Sequence, residues 1–101
     1  MIEVVASLTI NPDEPEAQHE YFTTAMQLIE KSGAKLVQKI ELGQPVIGEQ
    51  LSELLMLVEY ANEDAVNSVF ESDEYKAIIP ARDKAFLKYN VCMVVRNELV
   101  A

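Results

Sequence analysis

Apolar and polar residues alternate along Ile2–Ile10, IEVVASLTI. Val4, Ala6, Leu8 and Ile10 fall on one side, with Glu3, Val5, Ser7 and Thr9 on the other. A period of two predicts a β-strand. Asn11-Pro12-Asp13-Glu14-Pro15 ends it. Asn11 or Asp13 is placed to cap a following helix, a proline suits its first turn, and Glu14 and Glu16 favour its positive end. From about Glu14 to Ser32 the period lengthens. Phe22, Ala25, Met26 and Ile29 recur at i, i+3, i+4 and i+7, which predicts a helix burying that stripe. Gly33 is placed to stop it.

Alternation returns in Ala34–Leu42, with Leu36, Ile40 and Leu42 on one face and Lys35, Lys39 and Glu41 on the other. This predicts a half-exposed edge strand whose lysines discourage sheet-to-sheet pairing. Gly43-Gln44-Pro45 and Gly48-Glu49 mark a loop of about ten residues, long enough to fold over a neighbour or a site opening. Leu54–Tyr60, LLMLVEY, is apolar on both faces, the pattern of a strand covered on both sides. Asn62 and then Ser72-Asp73-Glu74 open two short helices, the first burying Val66, Val69 and Phe70. Pro80 breaks or restarts the second, and Arg82–Phe86 forms one more turn. Tyr89–Arg96 is the last strand, with Val91, Met93 and Val95 opposite Cys92 and Val94.

The 101 residues fit a single domain. Strand–helix–strand–strand–helix–strand, joined by right-handed crossovers and one hairpin, predicts an α+β ferredoxin-like fold, βαββαβ. Its four-stranded antiparallel sheet has the first and third strands at the centre and two helices on one face. The other face would leave Leu55, Leu57, Cys92 and Val94, or their alternates, in water. A monomer rarely exposes such a patch, and the simplest cover is the same face of a second copy, making a homodimer through the sheet.

Charge narrows the partners. Seventeen acids against eight bases give a net charge of −9, which argues against nucleic acid and anionic membrane surfaces. No apolar run approaches the ~18 residues of a membrane span, and Met1–Ile10 lacks the basic start of a signal peptide. A cytoplasmic location is expected, in keeping with the single cysteine, Cys92. Within VCMVV, Cys92 reads as a small buried hydrophobe. No Gly-rich phosphate loop, nucleophile elbow or zinc spacing stands in the chain, so neither a cofactor nor a metal is expected.

The second half carries a recognisable pattern. An apolar strand with an acid near its end (Leu54–Glu59) is followed by a short capped helix, by Ser72-Asp73-Glu74-Tyr75, and by Arg82 seven residues after the tyrosine. Gly33-Ala34-Lys35 opens the second strand. With these features the chain resembles the dimeric α/β-barrel superfamily of ferredoxin-like domains, and most closely its uncharacterised branch, domain of unknown function 1330. The resemblance covers most of the chain and implies homodimers with back-to-back sheets. Relatives in the superfamily include cofactor-free monooxygenases of quinol-like aromatics, isomerases, decyclases and haem-degrading proteins.

Three residues are candidates for ligand binding. His19, the single histidine, sits three before Phe22 and seven before Met26, which places it on the inward stripe. It reads either as a rim histidine bonded to a carbonyl or water, or as a pocket acid/base. Glu16-x-x-His19 has a metal-like spacing, but one such pair without a second makes no metal site. Arg82 reads as a surface partner of Glu74, Asp83 or Glu53, or as a clamp for an anion or carbonyl. The topology brings Arg82 and His19 to one opening, near Leu8–Ile10, Leu54 and Tyr89. Tyr75 reads as a half-buried packing residue with its hydroxyl at the rim. Tyr21 and Tyr60 read as core or interface, Glu59 as the wet end of a buried strand, and Met26, Met56 and Met93 as core.

The function favoured by these features is binding of a small apolar or aromatic molecule between sheet and helices. The alternative is a cofactor-free enzyme, monooxygenase- or isomerase-like, acting on a small aromatic or carbonyl compound. In that case His19 would be the acid/base and Arg82 would hold an anionic or enolate oxygen.

Overall fold

The computed structural model describes residues 1–96. Its elements are β1 (Ile2–Ile10), α1 (Pro15–Lys31), β2 (Lys35–Glu41), β3 (Leu54–Tyr60), α2 (Glu63–Phe70), α3 (Asp73–Ala77), α4 (Ile79–Ala85) and β4 (Phe86–Met93). The sheet is antiparallel throughout, in the order β2-β3-β1-β4. The chain therefore has the expected α+β ferredoxin-like architecture, with β1 and β3 central.

Cross-strand register assigns the two faces. Val4, Ala6 and Leu8 pair with Val58, Met56 and Leu54 on one side and with Met93, Val91 and Tyr89 on the other. This is the face that the helices cover, and it holds the core: Val4, Leu8, Leu54, Val58 and Tyr60 are all under 8% exposed. Tyr21 and Ala25 of α1, Val66 and Val69 of α2, and Ala81 and Ala85 of α4 close over it. The opposite face carries Val5, Ser7, Leu55, Leu57 and Cys92, and no helix among the described residues lies on it. There the Ser7 hydroxyl pairs with that of Ser52.

The short-range signals behave unevenly. Asn62 accepts from Ala65 N–H at 2.9 Å and Ser72 from Tyr75 N–H at 3.0 Å, so both cap helices as expected. Gly33 ends α1 with φ +81°, a conformation that favours glycine. At the start of α1, neither Asn11 nor Asp13 caps. Glu14 holds the cap position without a side-chain bond, and Pro15 fills the first turn. Asn11 serves a different purpose: its N–H and side-chain amide donate to the carbonyls of Ala85 and Lys84, at 2.9 and 3.3 Å. It thereby ties the β1–α1 turn to the end of α4.

Two expectations fail for geometric reasons. β2 has a bulge: Leu36 pairs with Val58, and Gln38 with Leu57, so Val37 is the extra residue. The alternation therefore flips midway. Leu36 lies on the helix face, whereas Ile40, opposite Leu55, lies on the open one. Cys92 is exposed rather than buried, because it points to the uncovered face of the edge strand β4. β4 also begins earlier than expected, at Phe86, and carries its own bulge at Leu87, since Thr9 pairs with Lys88 and Ile10 with Phe86.

The β2–β3 connection is pinned at its base. Leu42 N–H donates to Glu53 O at 2.9 Å, and the Gln50 amide donates to the carbonyls of Leu42 and Ser52. Beyond that base the loop holds Val46, Ile47 and Leu51 at 97, 92 and 82% exposure.

Candidate ligand site

The inward stripe of α1 is Ala17, Tyr21 and Ala25, spaced by four residues. Of Phe22, Ala25, Met26 and Ile29, the residues expected to form it, Ala25 belongs to it, while the others lie to one side of its centre and line the slot described below. Phe22 is half-buried and Met26 is 37% exposed. At 3.6 residues per turn, a residue two places from Ala17 and two from Tyr21 points roughly 200° away from both. His19 is that residue, and it is exposed. It lines neither cavity described below. The structure does not bring it to Arg82 and Tyr75.

Arg82 and Tyr75 do come together. Ser72 starts α3 so that Tyr75 enters the core at 3% exposure. Pro80 lets α4 begin afresh, and Arg82 follows on its inner side. Arg82 Nη1 donates to the Tyr75 hydroxyl at 3.3 Å. Its guanidinium lies 5.9 Å from the ring centres of both Tyr75 and Tyr89, within cation–π range. Its other arm meets Asp83 at 3.5 Å on the exposed side, a weak surface pair.

Behind Arg82 three phenols converge. Tyr21 reaches from α1 and Tyr89 from β4. The Tyr21 hydroxyl lies 2.9 Å from that of Tyr75 and is also hydrogen-bonded to that of Tyr89. The rings stack edge to face around Tyr21, with Phe22, Tyr75, Phe86 and Tyr89 at 5.4–6.0 Å between centres. Burial, reinforced by the neighbouring phenols, raises the Tyr21 pKa well above the usual tyrosine value. Burial also raises that of Tyr89, and it pushes Tyr60 up to about 12. Burial works to lower the Arg82 pKa, but the bond with Tyr75 and the surrounding phenols and Asp83 leave it raised, so Arg82 is a cation.

Two spaces meet at this cluster. One is an apolar slot of about 40 Å³ between sheet and helices, walled among others by Tyr21, Met26, Leu36, Met56 and Tyr60. The other is an open cleft of about 540 Å³ beside β4, walled by Arg82, Asp83, Leu87 and Phe86. Phe70, Tyr75, Tyr89 and Val91 belong to both walls. The slot alone holds little more than a methyl group or two, whereas the cleft lies in the ~300–1,000 Å³ range of small-molecule sites.

Tyr21 is the member of this site that sequence reasoning did not assign to it, and Tyr89 was placed beside the opening without a role. A signal was available: both are tyrosines at inward-facing positions where a plain hydrophobe would serve the core. Among the described residues, no three His, Cys, Asp or Glu side chains are grouped to hold a metal. No helix among them is long and apolar enough to cross a membrane.

Fold and site together define a ferredoxin-like α+β domain whose helix-covered sheet face carries a tyrosine–arginine cluster at the mouth of an apolar slot. Residues 4–96 match the model of the domain of unknown function family DUF1330, and the chain belongs to that family. No curated protein matches it. Among solved structures it is similar to the RPA0582 protein of unknown function from Rhodopseudomonas palustris, with a TM-score of 0.80 at 17% identity over 97% of this chain and 83% of that one. It is also similar to a dimeric ferredoxin-like protein of unknown function from Thermobifida fusca, with a TM-score of 0.57 at 10% identity over 94 and 90% of the two chains. An ethyl tert-butyl ether d (ethd) family protein from Bacillus halodurans has a TM-score of 0.61 at 18% identity over 96 and 100%. At these identities the likeness concerns the fold.

Proposed function

We propose that this domain binds a small apolar or aromatic molecule, whose body lies in the cleft beside β4 and whose apolar end enters the slot between sheet and helices. The observation that carries this reading is that the two spaces adjoin, sharing the wall formed by Phe70, Tyr75, Tyr89 and Val91, with Arg82 lining the cleft. Met26 and Met56 line the slot, and unbranched thioether chains can give way to a guest. Catalysis has less support, because the residue best suited to acid/base work, His19, faces away from the site.

Amide NMR titration with a set of small aromatic compounds tests this directly. Shifts should cluster on Phe70, Tyr75, Arg82, Tyr89 and Val91. Arg82→Ala should weaken the best binder severalfold, because Arg82 walls the cleft and its bond to the Tyr75 hydroxyl holds the phenol cluster in place. Shifts scattered over the surface, or indifference to Arg82→Ala, would refute the proposal.

The same proposal includes a homodimer through the open sheet face. Val5, Leu55 and Leu57 are half-buried there, Ile40 is 36% exposed and Cys92 is exposed. A second copy would cover this apolar strip, and the similar ferredoxin-like protein from Thermobifida fusca is itself dimeric. Sedimentation should give a dimeric mass that Leu57→Glu converts to monomer. The Cys92 thiol should react with a thiol reagent slowly in the native protein and quickly in that variant. A monomeric mass at every practical concentration would end this part of the proposal.

A further inference from the structure

The hydroxyl cluster contains more protons than it can use. Tyr75, Tyr21 and Tyr89 supply three O–H protons, while only two well-formed hydrogen bonds join them. One proton is therefore left over. It cannot belong to Tyr21, which is 2% exposed and has no third partner. It cannot go to Arg82, which only donates. If it sat on Tyr75, that oxygen would accept from both Arg82 and Tyr21, and its own proton would be buried, at 3% exposure, without an acceptor. An unmet buried donor costs more than a bond gains. The favourable arrangement runs one way: Arg82 donates to Tyr75, Tyr75 to Tyr21, and Tyr21 to Tyr89. The spare proton then lies on Tyr89, which is half-buried and lines both slot and cleft.

We infer that the ligand, in the site proposed above, is a neutral molecule with an acceptor oxygen of carbonyl type (ketone, aldehyde, ester or quinone), which takes the hydrogen bond of Tyr89 O–H. An all-donor relay headed by a cation is polarised toward its last proton, and each bond in it strengthens the next. Tyr89 is thereby a better donor than an isolated phenol. It is a poor partner for a ligand that can only donate. A free anion is disfavoured too, since one Arg82 arm is engaged with Tyr75, the other faces Asp83, and the chain as a whole carries −9. The body of the molecule must be apolar, because aromatic and aliphatic side chains form most of the surrounding wall.

This inference rests on the binding proposal but fails separately from it. The probes are acetophenone and α-methylstyrene, which share a shape and differ in having a carbonyl oxygen or a methylene at one position. Acetophenone should bind about three- to tenfold tighter, the worth of one net hydrogen bond. Its carbonyl infrared band should move to lower frequency on binding. Tyr89→Phe should abolish both the preference and the band shift. Equal affinities with an unmoved band would overturn the carbonyl inference and leave the apolar site standing. A preference that survives Tyr89→Phe would also overturn it, by showing that another donor is used. If neither probe binds, the site proposal and this inference fall together. The band shift is read on the unaltered protein, so the test does not depend on a variant that folds.

Discussion

Tyr21→Ala should come close to unfolding this domain. Tyr21 is 2% exposed and is the ring around which Phe22, Tyr75, Phe86 and Tyr89 are arranged. Truncating a large buried aromatic costs about 3–5 kcal/mol, against a total of roughly 5–15 kcal/mol for a domain of ordinary stability. Tyr21→Phe separates packing from hydrogen bonding. It keeps the ring but takes away the oxygen that joins Tyr75 to Tyr89, and should cost about 1–3 kcal/mol. Urea unfolding at fixed protein concentration gives both numbers, provided the m-value is unchanged. A Tyr21→Ala protein within about 1 kcal/mol of the native one would show that this cluster does not hold the two layers together.

Alkaline solution should unfold the protein steeply. An unfolded phenol gives up its proton near pH ~10. Tyr60 in the folded chain is pushed up to about 12 by burial, and Tyr21 and Tyr89 are raised as well. Below pH ~10 both states keep these protons, so the contribution is fully present. Between about 10 and 12 the unfolded chain holds fewer protons than the folded one, so stability falls as pH rises. Each such phenol contributes a slope of roughly 1.4 kcal/mol per pH unit, so three give about 4. Tyrosinate absorbance and far-ultraviolet circular dichroism should therefore change together, in one transition. Tyr21, Tyr60 and Tyr89 ionising near the ordinary value in a still-folded protein would contradict the burial described for them.

How much of this was legible in the chain depended on whether the local period stayed unbroken. β1 alternates, so Val4 and Leu8 could be placed on one face from spacing alone, whereas β3 is apolar on both faces and left open whether Leu55 and Leu57 or their alternates meet the helices. Asn62, Ser72 and Gly33 act within a few residues of themselves, and their capping and stopping roles were readable. β2 was misread after Leu36, because Val37 bulges without a glycine or proline to announce it. In α1 the buried Ala25 was read correctly, but the centre of the stripe was set one step off, on Phe22 and Met26 instead of Ala17 and Tyr21. The tyrosine that actually centres the stripe is amphipathic and so ambiguous. That single step turned His19 from a pocket candidate into a solvent-facing side chain. Tyr75 and Arg82 were each legible as candidates, but their pairing was not foreseen, since Arg82 was set with His19 or with Glu74, Asp83 or Glu53. The contribution of Tyr21 and Tyr89 was not legible either, because it depends on elements 54 and 68 residues apart in the chain meeting across the fold.

The two bulges have a consequence for how copies of this chain can associate. Both fall on the outermost strands, Val37 on β2 and Leu87 on β4, so neither free edge offers an unbroken ladder to an incoming strand. Lys35 and Lys39 add charge along the first of these edges. Endless lateral growth into a fibre is thereby blocked at both ends of the sheet. Stacking through the flat open side, by contrast, is self-limiting, because it uses up the only exposed face that the sheet has and then stops. The irregularities that spoil the alternation of the two edge strands thus separate a finite particle from an aggregate.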